Sequence, residues 1–323
     1  MKKVHQTLLH LQPYDRLIEW SKSATLPGFG KLPLYTVFVF FFQEISRESI
    51  INKASSLAYN FMLAIFPGII FLFTLIPYIP IDNFQEQLMD LIQLALPDNA
   101  YQVLENTLKD IIIRQNGGLL SAGFVLCTFF ATNGMTTLMM TFNKSSLSKE
   151  SRTWFQRRIV ALVLSFSIVF ALICGIVLYM GSNFLINYLK THIDYDLSWF
   201  WSFLIKTAQW LILFSIYFFT VSLIYKFGPS SSRWKLFTPG ATLATLLAML
   251  SFSLFTFYIN NFGAYNKLYG SIGTLIVVMI WMYMNALILI IGYELNASIA
   301  LSKQSIKIVK PRVYNSFKAN QAE

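Results

Sequence analysis

Six long stretches of the chain are nearly free of Asp, Glu, Lys and Arg. They fall at 54–81, 115–143, 159–189, 199–225, 236–262 and 271–301. A helix that crosses a bilayer needs about 20 residues, so each stretch predicts one membrane span. The surplus length predicts tilt or helix ends outside the hydrocarbon. A seventh apolar stretch, 32–43, is too short and runs into Glu44, Arg47 and Glu48. It predicts an amphipathic helix over 34–52, lying at the interface or packed against the bundle. The competing reading, a seventh span, places that charged turn inside the required length. Between the first two spans, residues 82–114 show apolar positions at helical spacing, broken at Pro97, Asp98 and Asn99. They predict two amphipathic helices outside the membrane, acting as a cap or as a lid.

The expected organisation is therefore an N-terminal segment at 1–53 with its interfacial helix, a six-span all-α bundle at 54–301, and a basic tail at 302–323. Composition agrees: 55% of the residues are hydrophobic and 12% are charged, against about 25% charged in a soluble domain. The formal net charge of +10 first suggests nucleic acid. Its distribution changes that reading. With the N-terminus placed in the cytoplasm, 20 of the 25 Lys and Arg residues fall before span one, after spans two and four, and in the tail. Such alternation is the positive-inside pattern, and it predicts that both termini are cytoplasmic. The surplus then reads as topology and attraction to anionic lipids, with no nucleic-acid partner. The first 31 residues lack the apolar core of a cleaved signal peptide. Cys127 and Cys174 lie in apolar runs without metal-ligand spacing and read as small hydrophobes.

Three blocks carry a resemblance. Residues 56–80 read SLAYNFMLAIFPGIIFLFTLIPYIP and residues 117–143 read GGLLSAGFVLCTFFATNGMTTLMMTFN. Residues 252–298 read FSLFTFYINNFGAYNKLYGSIGTLIVVMIWMYMNALILIIGYELNAS. Within the last block stand Tyr265, Asn266, Lys267, Tyr269, Gly270 and Gly273, then Trp281 and the run from Gly292 to Asn296. Over roughly residues 40–301 the chain resembles the YihY/BrkB family of bacterial inner-membrane proteins. The resemblance implies a multi-pass protein of the bacterial cytoplasmic membrane with about six spans. The family has carried ribonuclease and virulence-factor labels that supply no mechanism, and a transport role has been suggested for it.

The residues themselves argue against hydrolysis of RNA. A hydrolytic nuclease needs clustered carboxylates or histidines to hold cations against phosphate. The three histidines, His5, His10 and His192, are scattered, and no Walker loop or GxSxG is present. Asp194 and Asp196 read as a solvated loop. No cofactor and no metal site is expected, and the chain is not expected to be an enzyme.

Polar groups inside the spans are the sharper candidates, because ionisable groups at membrane depth are costly. Lys206 in span four either snorkels outward, pairs with Glu294 or faces a lumen. Glu294 in span six either takes up a proton or cation, or pairs with a basic residue near the cytoplasm. Asn60, Asn133, Asn285 and Asn296, with Gln209, either line a polar path or bond between helices. The glycine-rich run 263–273 predicts a tight outer hairpin, partly re-entrant. Tyr78, Trp199, Trp201, Tyr225 and Trp234 fall where an interfacial aromatic belt is expected. The leading expectation is a transporter or permease for a small ion or a lipid, ion- or proton-coupled. The alternative is a non-transporting membrane scaffold or envelope-assembly protein.

Overall fold

The computed structural model describes residues 12–25, 29, 32–47, 50–79, 89, 115–143, 150–192, 195–230, 235–261 and 264–305. Among them lie eight α-helices and no strand: α1 (Gln12–Ser23), α2 (Leu34–Arg47), α3 (Ile50–Leu75), α4 (Gly117–Asn143), α5 (Trp154–His192), α6 (Tyr195–Phe227), α7 (Pro239–Asn261) and α8 (Ala264–Ser305). A 3-10 turn, Ile76–Tyr78, extends α3. The segments α3 to α8 are each apolar and long enough to cross a membrane. The lipid requirement follows from their surfaces, since only 11% of the most apolar window of α5 is buried. Helices suit such a solvent because they satisfy their backbone groups internally. Their hydroxyls do likewise: Thr132, Thr136, Thr137 and Thr141 of α4 each donate to the carbonyl four residues earlier.

Each span packs on the next in sequence, and α8 returns to pack on α3, so the six form a closed ring. α2 lies against α8, with α1 against α2. At 14 residues, α2 is about 21 Å long, shorter than the hydrocarbon core. It buries Leu34, Val37 and Phe41 against Leu295 and Ile299. It is a helix packed on the bundle, and no span is built from it.

The ends where α3, α5 and α7 begin and where α4, α6 and α8 finish lie together. They carry Lys53, Arg152, Arg157, Arg158 and Lys226, and this end is termed the basic end. The main core sits there. It joins Leu57, Met139, Phe142, Ala161, Tyr225 and Tyr293 with their neighbours. Toward the opposite end the same helix faces become exposed. On α4 the buried Phe142 and Met135 share a face, at helical spacing, with Phe124, which is 47% exposed. On α6 the buried Tyr225 and Val221 give way to Trp210 and Phe203, and on α8 Tyr293 and Ala286 give way to Met279 and Leu275. The ring is packed at its basic end; toward the other end these faces of α4, α6 and α8 are exposed, while α3 and α4 stay in contact through Gly123 and Phe71.

Two expectations change. α8 begins at Ala264, so 264–273 is continuous helix where a hairpin was expected. Tyr225 is 1% exposed and belongs to the core, because its ring and hydroxyl both find partners inside the bundle. Tyr78 and Trp201 are exposed near span ends, as a belt requires. The expected outer helices at 82–114 lie outside the described residues apart from Met89, as do Trp199's side chain, Trp234 and the tail beyond Ser305.

Candidate functional site

Lys53 stands in the first turn of α3 and Glu294 on the core face of α8. Their charged groups are 3.6 Å apart, and the side chains are 13% and 3% exposed. Because α3 and α8 are the first and last spans, this ion pair closes the ring at its basic end. Attraction between charges strengthens where water is excluded, but each ion first loses its hydration.

The same end is laced by neutral bonds. Tyr225 donates to the Leu289 carbonyl at 2.8 Å, and Tyr293 donates to the Phe142 carbonyl at 3.0 Å. Phe142 stacks on Tyr293 with centroids 4.0 Å apart and meets Tyr225 edge-on. Thus one aromatic cluster ties α4, α6 and α8. Asn296 accepts from the Gly240 N–H at 2.8 Å and donates to Thr238 Oγ1 at 2.9 Å. It satisfies a backbone donor that α7 leaves orphaned at its start. That bond needs close approach of α7 and α8. A Cβ on Gly240 would strike the Gly292 carbonyl, and one on Gly292 would strike the Tyr225 hydroxyl. Arg152 donates to the carbonyls of Phe227, Gly228 and Pro229 and so closes the end of α6.

A second cluster joins α3, α4 and α5. Asn133 donates to Asn60 Oδ1 at 3.1 Å, and Asn60 donates to the Ser56 carbonyl. Arg158 reaches Asn133 Oδ1 and Thr132 Oγ1, each at 3.3 Å. Its guanidinium lies 5.2 Å from the Phe129 ring centroid and 5.7 Å from that of Trp154.

The sequence-predicted residues therefore separate. Glu294 pairs with Lys53, and Lys206 is exposed on the far half of α6. The expected alternative of a Lys206–Glu294 pair is not formed, because Glu294 sits in the packed basic end while Lys206 lies about 30 Å of helix from that end of α6. Asn60 and Asn133 meet each other, Asn296 caps α7, and Asn285 donates to the Trp281 carbonyl of its own helix. Gln209 is half-buried on α6. Of the family block, Gly273 is buried, while the side chains of Tyr265, Asn266, Lys267, Tyr269 and Gly270's surroundings lie outside the described residues. Among the described residues no three His, Cys, Asp or Glu side chains gather as a metal would require.

Sequence reasoning missed Lys53, Arg158 and Gly240, and read Gly292 only as part of a family block. The first two were counted only as loop charges. Their place inside helices was legible from position, since Lys53 lies one residue before the first apolar run and Arg158 one before the third.

Six apolar helices in a closed ring define an integral, multi-pass membrane protein. The family model described as Virulence factor BrkB matches residues 41–312, and the chain belongs to that family. It is 30% identical to a ribonuclease-like protein, YfkH, of Bacillus subtilis over 76% of this chain and 88% of the relative. It is 22% identical to a UPF0761 membrane protein of Tolumonas auensis over 80% of this chain and 84% of the relative. With the UPF0761 membrane protein Smlt0865 of Stenotrophomonas maltophilia it shares 23% identity over 95% of this chain and 70% of the relative. No solved structure gives a significant match.

Proposed function

We propose that this protein is a transporter for an amphipathic, lipid-like substrate, and that the structure is its state open at the end opposite the basic end. The observation that carries this reading is the one-sided packing of the ring. Phe124, Phe203, Trp210, Leu275 and Met279 are exposed on the faces that bury core residues near the basic end. A mouth lined in this way suits acyl chains. A small ion would need converging polar ligands, and Asn60, Asn133, Asn285, Asn296, Lys206 and Glu294 do not converge. In this reading the Lys53–Glu294 pair and the Asn296 clasp form the closed gate, and rocking of α3 against α8 opens it. Protonation of Glu294 is one way to loosen that gate. In this reading the basic end faces the cytoplasm of a bacterial inner membrane, which the concentration of Lys and Arg at that end supports.

The test is lipid exchange in proteoliposomes. Fluorescent phospholipid should cross between leaflets faster than in protein-free vesicles, and Lys53→Met with Glu294→Gln should change the rate. Folded protein that leaves the rate at the blank value sinks the proposal. In that event the non-transporting scaffold is the better reading. Its support is that the buried polar residues are distributed among separate helix contacts.

A further inference from the structure

Arg158 is placed against two ordinary preferences at once. Its hydrogen-bond partners, Asn133 and Thr132, are neutral, and among the described residues no carboxylate meets it. It lies near the N-terminus of α5, where the helix dipole is positive. That helix start is already capped, with Gln156 Oε1 accepting from the Thr153 N–H. Arg158 is four residues from the start of α5, about 6 Å of helix, and its guanidinium stays beside the ring of Trp154, the first residue of that helix. The adjacent Arg157 adds a second charge, with its Nε buried and without a hydrogen-bond partner.

The cluster faces lipid. Asn133 falls on the side of α4 opposite Phe142, at helical spacing with the exposed Leu126, Phe129 and Met140. Arg158 shares its face of α5 with Trp154 and Leu162, which are 64% and 37% exposed. A half-buried guanidinium whose partners among the described residues are neutral keeps a charge free to meet an anion from the surrounding lipid.

We propose that Arg158, steadied by Asn133, Thr132 and the rings of Phe129 and Trp154, binds the phosphate of an anionic phospholipid entering from the surrounding leaflet. The guanidinium fork matches phosphate oxygens, and the lipid's net negative charge balances the site. Acyl chains then lie along the apolar faces of α4 and α5. This site is outside the ring and holds whether or not the protein transports.

The full chain in detergent can be titrated with phosphatidylglycerol and, separately, with phosphatidylcholine, reading bound lipid by native mass spectrometry. Phosphatidylglycerol should bind more tightly, and Arg158→Gln should weaken it roughly ten- to a hundredfold, the loss of a charge-assisted hydrogen bond. Lys206→Gln should leave it unchanged, and Arg158→Lys should retain part of it. If Arg158→Gln does not fold, Asn133→Leu serves in its place and should also lower affinity. Displacement of the lipid by millimolar inorganic phosphate alone would assign the site to a soluble anion and overturn the lipid proposal. Equal losses in the Arg158 and Lys206 variants, or none in either, would overturn the site.

Discussion

Lys53 and Glu294 hold the first and last spans together at 3.6 Å, inside a core that leaves Glu294 3% exposed. Removing one partner takes from the other, in a nearly dry site, the opposite charge it holds across the ring. Lys53→Met or Glu294→Gln alone should therefore destabilise the bundle by about 3–5 kcal/mol. The double variant should recover much of the loss. Thermal unfolding in detergent across the four proteins measures the coupling, and additive losses would show that the pair does not act as a unit.

Lys206 supplies the contrast. It is exposed on α6, so Lys206→Leu should alter stability by no more than about 0.5 kcal/mol. A drop comparable to that of Glu294→Gln in the same melts would mean that Lys206 has a buried partner.

Asn296 bridges α8 to the start of α7. Asn296→Ala should cost about 1–2 kcal/mol, the range for a lost helix cap. Hydrogen exchange localises the effect: protection should fall first at the start of α7. Uniform loss across the bundle would contradict a local cap.

Gly240 and Gly292 allow α7 and α8 to touch backbone to backbone. Either residue changed to Val forces the helices apart, and that displaces the Asn296 bond as well. Folded yield by fluorescence-detected size exclusion should fall sharply for both variants. Gly181, beside which an added Cβ meets nothing within 4 Å, should tolerate the same change.

Tyr225 and Tyr293 each donate one buried hydrogen bond to a backbone carbonyl. Replacing either by Phe keeps the ring packing and removes the donor. Each should lower stability by about 1–2 kcal/mol, while Tyr→Ala at the same places should cost more through the cavity it opens. Equal effects of Phe and Ala would place the contribution wholly in the hydroxyl.

Charge-free length made the six spans legible, and the charged turn after Gln43 made α2 legible as a short helix. Those signals are local. Residue partners were less legible because they depend on which helices meet, and sequence spacing does not state that. Glu294 was recognisable as a costly buried acid, but its partner lay near the other end of the chain. Tyr225 sits one residue before Lys226 and so has the sequence signature of an interfacial anchor; only the fold turns its ring inward. Asn133 and Asn60 were recognisable as intramembrane amides. Their meeting with Arg158 required knowing that α5 lies beside α4.

The closure of α8 onto α3 also sets an order of events during synthesis. Lys53 enters the membrane region early, and its acid partner is made roughly 240 residues later, about 10–50 s at ordinary bacterial translation rates. Until then the nascent bundle carries a lysine that no carboxylate from the last helix has reached. A chain truncated before α8 lacks Glu294 and so cannot make the pair that joins the first span to the last.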